Sequence, residues 1–168
     1  RVFRRLPHSH TRLSSNPLLL QRTAKRVRFF AEAQRDSLNH QMEVAVCRGG
    51  VAGHSVAAMK VAGCYAPGGR YPLPSSVIMG AVPARVAGCE LVIASSPHPS
   101  DVTLAAAFIA GVDLFLMVGG AHAIAAMAYG LSNTKTGEVC VCFFVEYMTE
   151  YFTIIMLVLL KIFFCSPR

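Results

Sequence analysis

The chain has 168 residues, 54% of them hydrophobic and 15% charged, and its formal net charge is +7. This length suits one domain or part of one and excludes a large multidomain enzyme, while the high apolar fraction requires a well-covered core. The first thirty residues hold half of the 16 Lys and Arg and no acidic residue, and no exposed aromatics interleave with that charge, so the composition does not indicate a nucleic-acid partner.

Residues 1–16 are predicted to be a basic N-terminal arm or a fragment edge. An Arg- and Ser-rich start without acids is typical of organellar transit peptides, but a broken domain edge explains it equally simply and is the interpretation we favour. The six Cys are scattered without a disulfide framework, which indicates a reducing compartment. We therefore expect a cytoplasmic protein, or a plastid protein if the arm is a transit remnant.

The next segment, residues 17–38, has the apolar spacing of a helix that packs on a core, with Asn16 as its cap and Pro17 in its first turn. The residues that recur at helical spacing are Leu20, Ala24, Val27 and Ala31. Residues 47–60 then predict a glycine-containing connection, with a short hairpin as an alternative. This connection has no GxGxxG or GxxxxGK[ST] phosphate-binding loop.

The middle of the chain alternates between strands and helices. The predicted strands are 61–65, 90–95 and 114–118. The predicted helices are one that Ser75 or Ser76 caps and that runs to 87, one from 101 to 110 that Gly111 ends, and one that Gly119 and Gly120 open. Strands that are apolar throughout and separated by single helices favour parallel pairing with both faces covered. The expected fold is therefore α/β: a doubly wound, Rossmann-like, mostly parallel sheet with helices on both faces, here incomplete.

In such a sheet, ligands bind beyond the carboxyl ends of the strands. Three segments, "YAPGGRYPLP", "SPHPS" and "GGAH", are expected at that edge. Gly68 and Gly69 permit a positive φ and a close backbone approach, Tyr65 offers a flat face and a phenol suited to a nucleotide, and the glycine pair at the start of the last helix can face an anion. Taken singly, these features also fit a packed rim tyrosine and ordinary tight turns.

The segments "VAGCYAPGGRYPLPSSVIMGAVPARVAGC", "VIASSPHPSDVTLAAAFIAGVD" and "VGGAHAIAAMAYG" closely resemble histidinol dehydrogenase, over about residues 17–130. The resemblance implies an NAD- and zinc-dependent enzyme that oxidises L-histidinol through the aldehyde to L-histidine, as a homodimer. Tyr65 stands where the family has a tyrosine that contacts NAD. His122 stands where the family motif "GGAQAIAA" has a glutamine that contacts NAD, and its imidazole is shorter and more rigid than that amide.

The rest of the family pattern is not recognisable after Gly130. Neither the GPGN-type loop, nor the zinc ligands, nor the catalytic Glu-His pair has a counterpart there, so we assign no catalytic or metal residue and expect this chain to be inactive alone. His98 is interpreted as a loop residue. Cys140 and Cys142 are interpreted as strand cysteines rather than zinc ligands.

The expected division of the chain is an arm (1–16), a partial NAD-binding domain (17–131) and a divergent apolar tail (132–168), which we interpret as a translated intron or a mis-spliced end. Two alternatives remain open. One is a relative that oxidises another small alcohol. The other is a non-catalytic membrane-associated α/β protein anchored by residues 152–165, although that run is shorter than the roughly 20 residues that span a bilayer and Lys161 interrupts it. A sheet without its covering elements is expected to aggregate.

Overall fold

The computed structural model describes residues 3–5, 17–68, 71–129, 139–143 and 160–164. Its elements follow in chain order as β1 (Phe3–Arg5), α1 (Pro17–Asp36), β2 (Gln41–Cys47), β3 (Gly50–Val56), β4 (Val61–Tyr65), α2 (Pro74–Val86), β5 (Leu91–Ser95), α3 (Asp101–Ala110), β6 (Leu114–Leu116), α4 (Gly120–Tyr129), β7 (Val139–Phe143) and β8 (Leu160–Phe164).

The central sheet has five strands in the order β1-β6-β5-β4-β7. Strands β4, β5, β6 and β7 are parallel, and β1 lies antiparallel at the edge beside β6. The three strands predicted from the sequence are all present, and their observed bounds are at most two residues shorter at an end. The expectation of a mostly parallel α/β sheet is therefore confirmed.

Helices cover both faces of this sheet. One face carries small and apolar strand residues such as Ala62, Val92 and Phe115, which pack in one core with residues of α1, α2 and α3. The other face carries Val61, Ile93 and Leu116, which pack with Met127 of α4. Because successive strand residues point to opposite faces, each strand supplies both cores, which explains why β4 and β5 are apolar throughout. The doubly wound arrangement is confirmed.

The strand order reverses next to β4. The chain passes from β4 to β5 to β6 in one direction, through α2 and α3, and β7 then lies on the opposite side of β4. The prediction that Cys140 and Cys142 lie in a strand is confirmed, since β7 contains both, but the sequence did not indicate its place beside β4. Reversals of this kind are where doubly wound sheets bind their ligands.

A smaller antiparallel sheet consists of β2, β3 and β8. Its hairpin is larger than the one considered within residues 47–60, because β2 begins at Gln41 and pairs along its length with β3. The turn between the two strands contains Gly49, whose φ is +82°. Of the apolar run 152–165, the structure describes only residues 160–164, which form β8; the rest of the run lies outside the described residues. Within the described part of the chain, no helix is both long and apolar enough to span a membrane.

The helix ends follow local rules, with one correction. α2 begins at Pro74, and its N-cap, Leu73, makes no side-chain capping bond, so the prediction that Ser75 or Ser76 caps this helix is wrong. Proline is favoured in the first turn because it has no N–H to leave unpaired and its φ is already helical. Ser76 instead faces the core, where it is buried.

Candidate functional site

Three loops meet at the carboxyl edge of the central sheet: the described residues 66–68 and 71–73 after β4, residues 96–100 after β5 and residues 117–119 after β6. Between the first two loops is a cleft of about 170 Å³. Its lining residues are Ala66, Pro67, Gly68, Tyr71, Pro72, Leu73, Ser96, His98, Ser100 and Thr103. The cleft therefore lies at the edge where the sequence placed a ligand.

The beginnings of α2 and α3 form one wall of this cleft. Leu73 precedes α2, and Ser100 caps α3 by accepting a hydrogen bond from the Thr103 N–H at 3.3 Å. The Ser100 and Thr103 hydroxyls are also 3.0 Å apart. His98, interpreted from the sequence as a loop residue, does lie in a loop, and it also lines the cleft. Small-molecule sites usually measure about 300 to 1,000 Å³, so this cleft admits part of a dinucleotide rather than all of it.

Tyr65 lies on the other side of the same edge. It is the last residue of β4, it is half-buried, and its ring packs with the core beneath α4. Its hydroxyl accepts a hydrogen bond from the backbone N–H of Gly120, the first residue of α4, at 3.0 Å. This bond joins the first and third of the three predicted segments, although they are 55 residues apart in the chain.

His122 lies in the first turn of α4, two residues beyond Gly120, and it is exposed to solvent. The structure thus brings both predicted cofactor-binding residues to the start of α4, next to the point where the strand order reverses. It does not place them in the cleft, which is on the face of the sheet covered by α2 and α3. The single crevice expected from the sequence is in fact two neighbouring regions.

The two regions are joined by close packing around Pro97. A methyl group on Gly68 would lie 2.5 Å from Pro97 Cγ, and one on Gly119 would lie 2.6 Å from Pro97 Cβ. The close approach of Gly68 in the structure is to Pro97 rather than to a ligand, and the φ of Gly68 is not positive. Gly69 lies outside the described residues. The φ of Gly120 is +64°, which a glycine adopts without strain.

Ser95 is a residue of this edge that sequence reasoning missed. It ends β5, it is fully buried, and its hydroxyl lies 3.1 Å from the Leu116 carbonyl and 2.7 Å from the Val118 carbonyl. The loop after β6 is thus tied to the end of β5. The available signal was a serine as the last residue of an otherwise apolar strand, since a buried hydroxyl needs a hydrogen-bond partner.

The described residues do not provide a metal site. Among them, no group of three or more His, Cys, Asp or Glu side chains lies close enough together to hold a metal ion. What this part of the chain offers a ligand is backbone N–H groups, hydroxyls, an aromatic face and two imidazoles.

Comparison with known proteins identifies relatives of this chain. Residues 13–142 match the family model for histidinol dehydrogenase. Histidinol dehydrogenase of Aquifex aeolicus (strain VF5) is 44% identical over 111 residues, which cover 66% of this chain and 25% of that protein. Histidinol dehydrogenase of Ralstonia nicotianae (strain ATCC BAA-1114 / GMI1000) is 44% identical over 116 residues, covering 66% and 26% respectively.

The fold has a solved counterpart. The crystal structure of histidinol dehydrogenase from Elizabethkingia anophelis superposes with a TM-score of 0.58 at 25% identity, covering 71% of this chain and 28% of that one. The chain therefore spans about a quarter of the length of the relatives it matches. The family match ends at residue 142, so it includes most of β7, whereas the resemblance seen in the sequence ended near 130.

Proposed function

Because the chain belongs to the histidinol dehydrogenase family, we propose that it forms an NAD-binding part of an oxidoreductase that converts L-histidinol to L-histidine, the last step of histidine biosynthesis. The family match and the named relatives support an oxidoreductase. The cofactor, the substrate and the homodimer are proposals for the whole protein, of which this chain spans about a quarter.

The observation that carries the proposal is the position of Tyr65. It ends β4, the strand at which the sheet order reverses, and its hydroxyl meets the start of α4 at 3.0 Å. Doubly wound sheets bind nucleotides at such reversals, where the starts of helices on opposite faces diverge and leave a crevice. A residue that offers a flat ring and a hydroxyl at this point suits a nucleotide.

We assign Tyr65 and His122 as cofactor-binding residues. The Tyr65 hydroxyl accepts from the Gly120 N–H, which leaves its own O–H to donate and its ring as an apolar surface, and the exposed imidazole of His122 lies two residues further along the first turn of α4. The cleft beside Ser100 admits a further part of the dinucleotide. NAD, when bound, supplies the hydride acceptor, and the residues of this chain hold and orient it.

Zinc belongs to the proposed whole enzyme rather than to the described part of this chain. The described residues do not fit a metal ion, and we derive no catalytic step through one. We propose that this chain alone does not turn over histidinol, because the family's Glu-His pair and zinc ligands have no recognisable counterpart in its sequence.

Calorimetric titration of the 168-residue chain with NAD⁺ tests the binding proposal. We expect measurable binding, and Tyr65→Phe should weaken it about 3- to 10-fold, the effect of one lost hydrogen bond. His122→Gln should strengthen it, because an amide on a flexible arm replaces a rigid ring. Tyr129→Phe is the matched control, since Tyr129 is exposed at the far end of α4. Absence of NAD⁺ binding by the unaltered chain would refute the proposal.

The substrate is tested with the full-length gene. Growth of a histidine auxotroph on histidinol is the expected result. If the strain does not grow and the purified protein oxidises a different small alcohol, histidinol is not the substrate, and the protein is a family relative that acts on that other alcohol.

A further inference from the structure

The loop after β5 occupies the middle of the ligand edge. β5 lies between β4 and β6 in the sheet, so its loop lies between the loops that follow those two strands. The entry to this loop is held on both sides: the Ala66 N–H donates to the Ser95 carbonyl at 2.8 Å, and the Ser96 N–H donates to the Leu116 carbonyl at 3.1 Å. The next residue, Pro97, has no N–H and contributes only its ring.

Both neighbouring loops press a glycine against that ring. At Gly68, a methyl group would come within 2.5 Å of Pro97 Cγ and 2.9 Å of Cδ; at Gly119, it would come within 2.6 Å of Cβ and 2.9 Å of Cγ. Real Cβ atoms do not approach this closely, and a pyrrolidine ring cannot swing aside as a long side chain can. Three loops that are distant in sequence are thus packed around one proline.

Each of these glycines leads directly to a ligand-binding region. Gly68 lines the cleft beside α2 and α3. Gly119 precedes Gly120, whose N–H is bonded to Tyr65 on the other face of the sheet. A shift of the Pro97 ring therefore has to change the spacing between the cleft and the start of α4.

We infer that Pro97 is a positioning residue that holds the cleft and the Tyr65–Gly120 pair at a set separation, so that one dinucleotide can contact both. The inference rests on the proposed function for its ligand, whereas the packing itself is a property of the chain alone. Pro97 touches no reacting atom in this account; it acts through the glycines on either side.

The first test needs no ligand. Hydrogen exchange measured by mass spectrometry is compared for the unaltered chain, Pro97→Ala and the matched control Pro99→Ala. Pro99 belongs to the same loop, and its atoms are not among the three nearest to a methyl group built on either glycine. We expect Pro97→Ala to accelerate exchange about tenfold or more in peptides covering both 66–68 and 119–122, with an unchanged urea midpoint. Acceleration confined to the altered loop, or equal in Pro99→Ala, would overturn the inference.

A second variant, Gly68→Ala, tests the same contact if Pro97→Ala fails to fold. Gly68→Ala should push the ring aside and accelerate exchange at 119–122, in a loop that it does not itself belong to. In the double variant Gly68→Ala/Pro97→Ala the new methyl group has room, so the effects at 119–122 should be less than additive. Strictly additive effects would contradict a shared contact.

NAD⁺ titration then separates this inference from the proposed function. If the unaltered chain binds NAD⁺, Pro97→Ala should bind about tenfold more weakly and Pro99→Ala about equally; equal weakening by both variants would refute a positioning role. If the unaltered chain binds no NAD⁺, the proposed function fails, and the exchange experiment alone decides whether Pro97 couples the loops.

Discussion

At the scale of single residues, Arg85 is the principal polar connection at the amino edge of the sheet, opposite the ligand edge. Its guanidinium donates to the carbonyls of Gly111, Cys89 and Glu90 at 2.8, 3.1 and 2.9 Å, and it forms an ion pair with Asp113. The Asp113 carboxylate also accepts from the Val92 N–H at 2.8 Å. One side chain thus ties α2 to the end of α3 and to the start of β5.

We expect Arg85→Ala to lower the free energy of unfolding by about 2 to 3 kcal/mol, because it removes a charged donor from the part-buried Cys89 carbonyl, from two exposed carbonyls and from the Asp113 carboxylate. Urea denaturation in dilute solution measures this change. Arg35→Ala is the control: its ion pair with Asp36 is exposed and its bond to the Val86 carbonyl is long, at 3.4 Å, and exposed pairs contribute little, about 0 to 1 kcal/mol. Equal losses for the two variants would show that Arg85 is not a structural connection.

At the scale of elements, α3 shows how closely a helix can follow its sequence. The predicted bounds and the observed bounds are the same, Asp101–Ala110. The reason is local at both ends, since Ser100 caps the first turn and Gly111 ends the helix with a φ of +82°. α2, whose start was predicted wrongly, has competing serines and a proline within three residues.

Gly111→Ala should destabilise the chain by about 1 kcal/mol, because a residue with a Cβ is strained in the left-handed conformation. The cost comes from φ rather than from crowding: the nearest atoms to a new methyl group, in Arg85, would be 3.6 and 3.7 Å away. Gly111→Asn should cost less, since asparagine tolerates this conformation. Urea midpoints of the unaltered chain, Gly111→Ala and Gly111→Asn measure this ranking. If Gly111→Asn lowers the midpoint as much as Gly111→Ala does, the explanation is contradicted.

At the scale of the whole molecule, much apolar surface in the described residues faces solvent. On α1, Leu18, Leu19, Phe29 and Phe30 are exposed, and on β2, Met42, Val44 and Val46 are exposed. Met42 and Val44 alternate along the regular part of the strand and therefore share one face, whereas Val46 lies at the irregularity between Ala45 and Cys47. Large exposed apolar surfaces on a sheet promote association, which agrees with the aggregation expected from the sequence.

Self-association of the 168-residue chain should therefore decrease when this face is made polar. Light scattering is expected to show a smaller mean particle mass for Val44→Lys than for the unaltered chain. Ala45→Lys adds a charge to the opposite face of the same strand and serves as the control. If Ala45→Lys disperses the chain equally well, net charge rather than the apolar face is responsible.

The expected division into an arm, a domain and a tail from residue 132 stays a prediction. The family match to residue 142 and the parallel pairing of β7 with β4 both concern the first residues of that predicted tail. We propose the division into these three parts, and we note that both observations favour a later start of the tail than residue 132.

Much of this protein was readable from its sequence, because the relevant signals are local. Continuous apolar runs predict the buried strands β4, β5 and β6, and the glycine that follows α3 predicts where this helix ends. The intervening helices indicate that those strands pair in parallel. Because the carboxyl ends of parallel strands lie at the same edge of the sheet, this pairing predicts that Tyr65 and the loop glycines lie at that edge. The family motifs also lie in this stretch.

Only the tertiary structure decided the relations between distant segments. The place of β7 beside β4, the bond from Gly120 to Tyr65 and the packing of two glycines on Pro97 each join parts of the chain that no periodicity connects. Backbone hydrogen bonding between strands is nearly independent of side-chain identity, and close packing depends on the final separation of loops. For this reason the sequence alone indicated the components of the site, and the assembled sheet determined that they form two regions joined at Pro97.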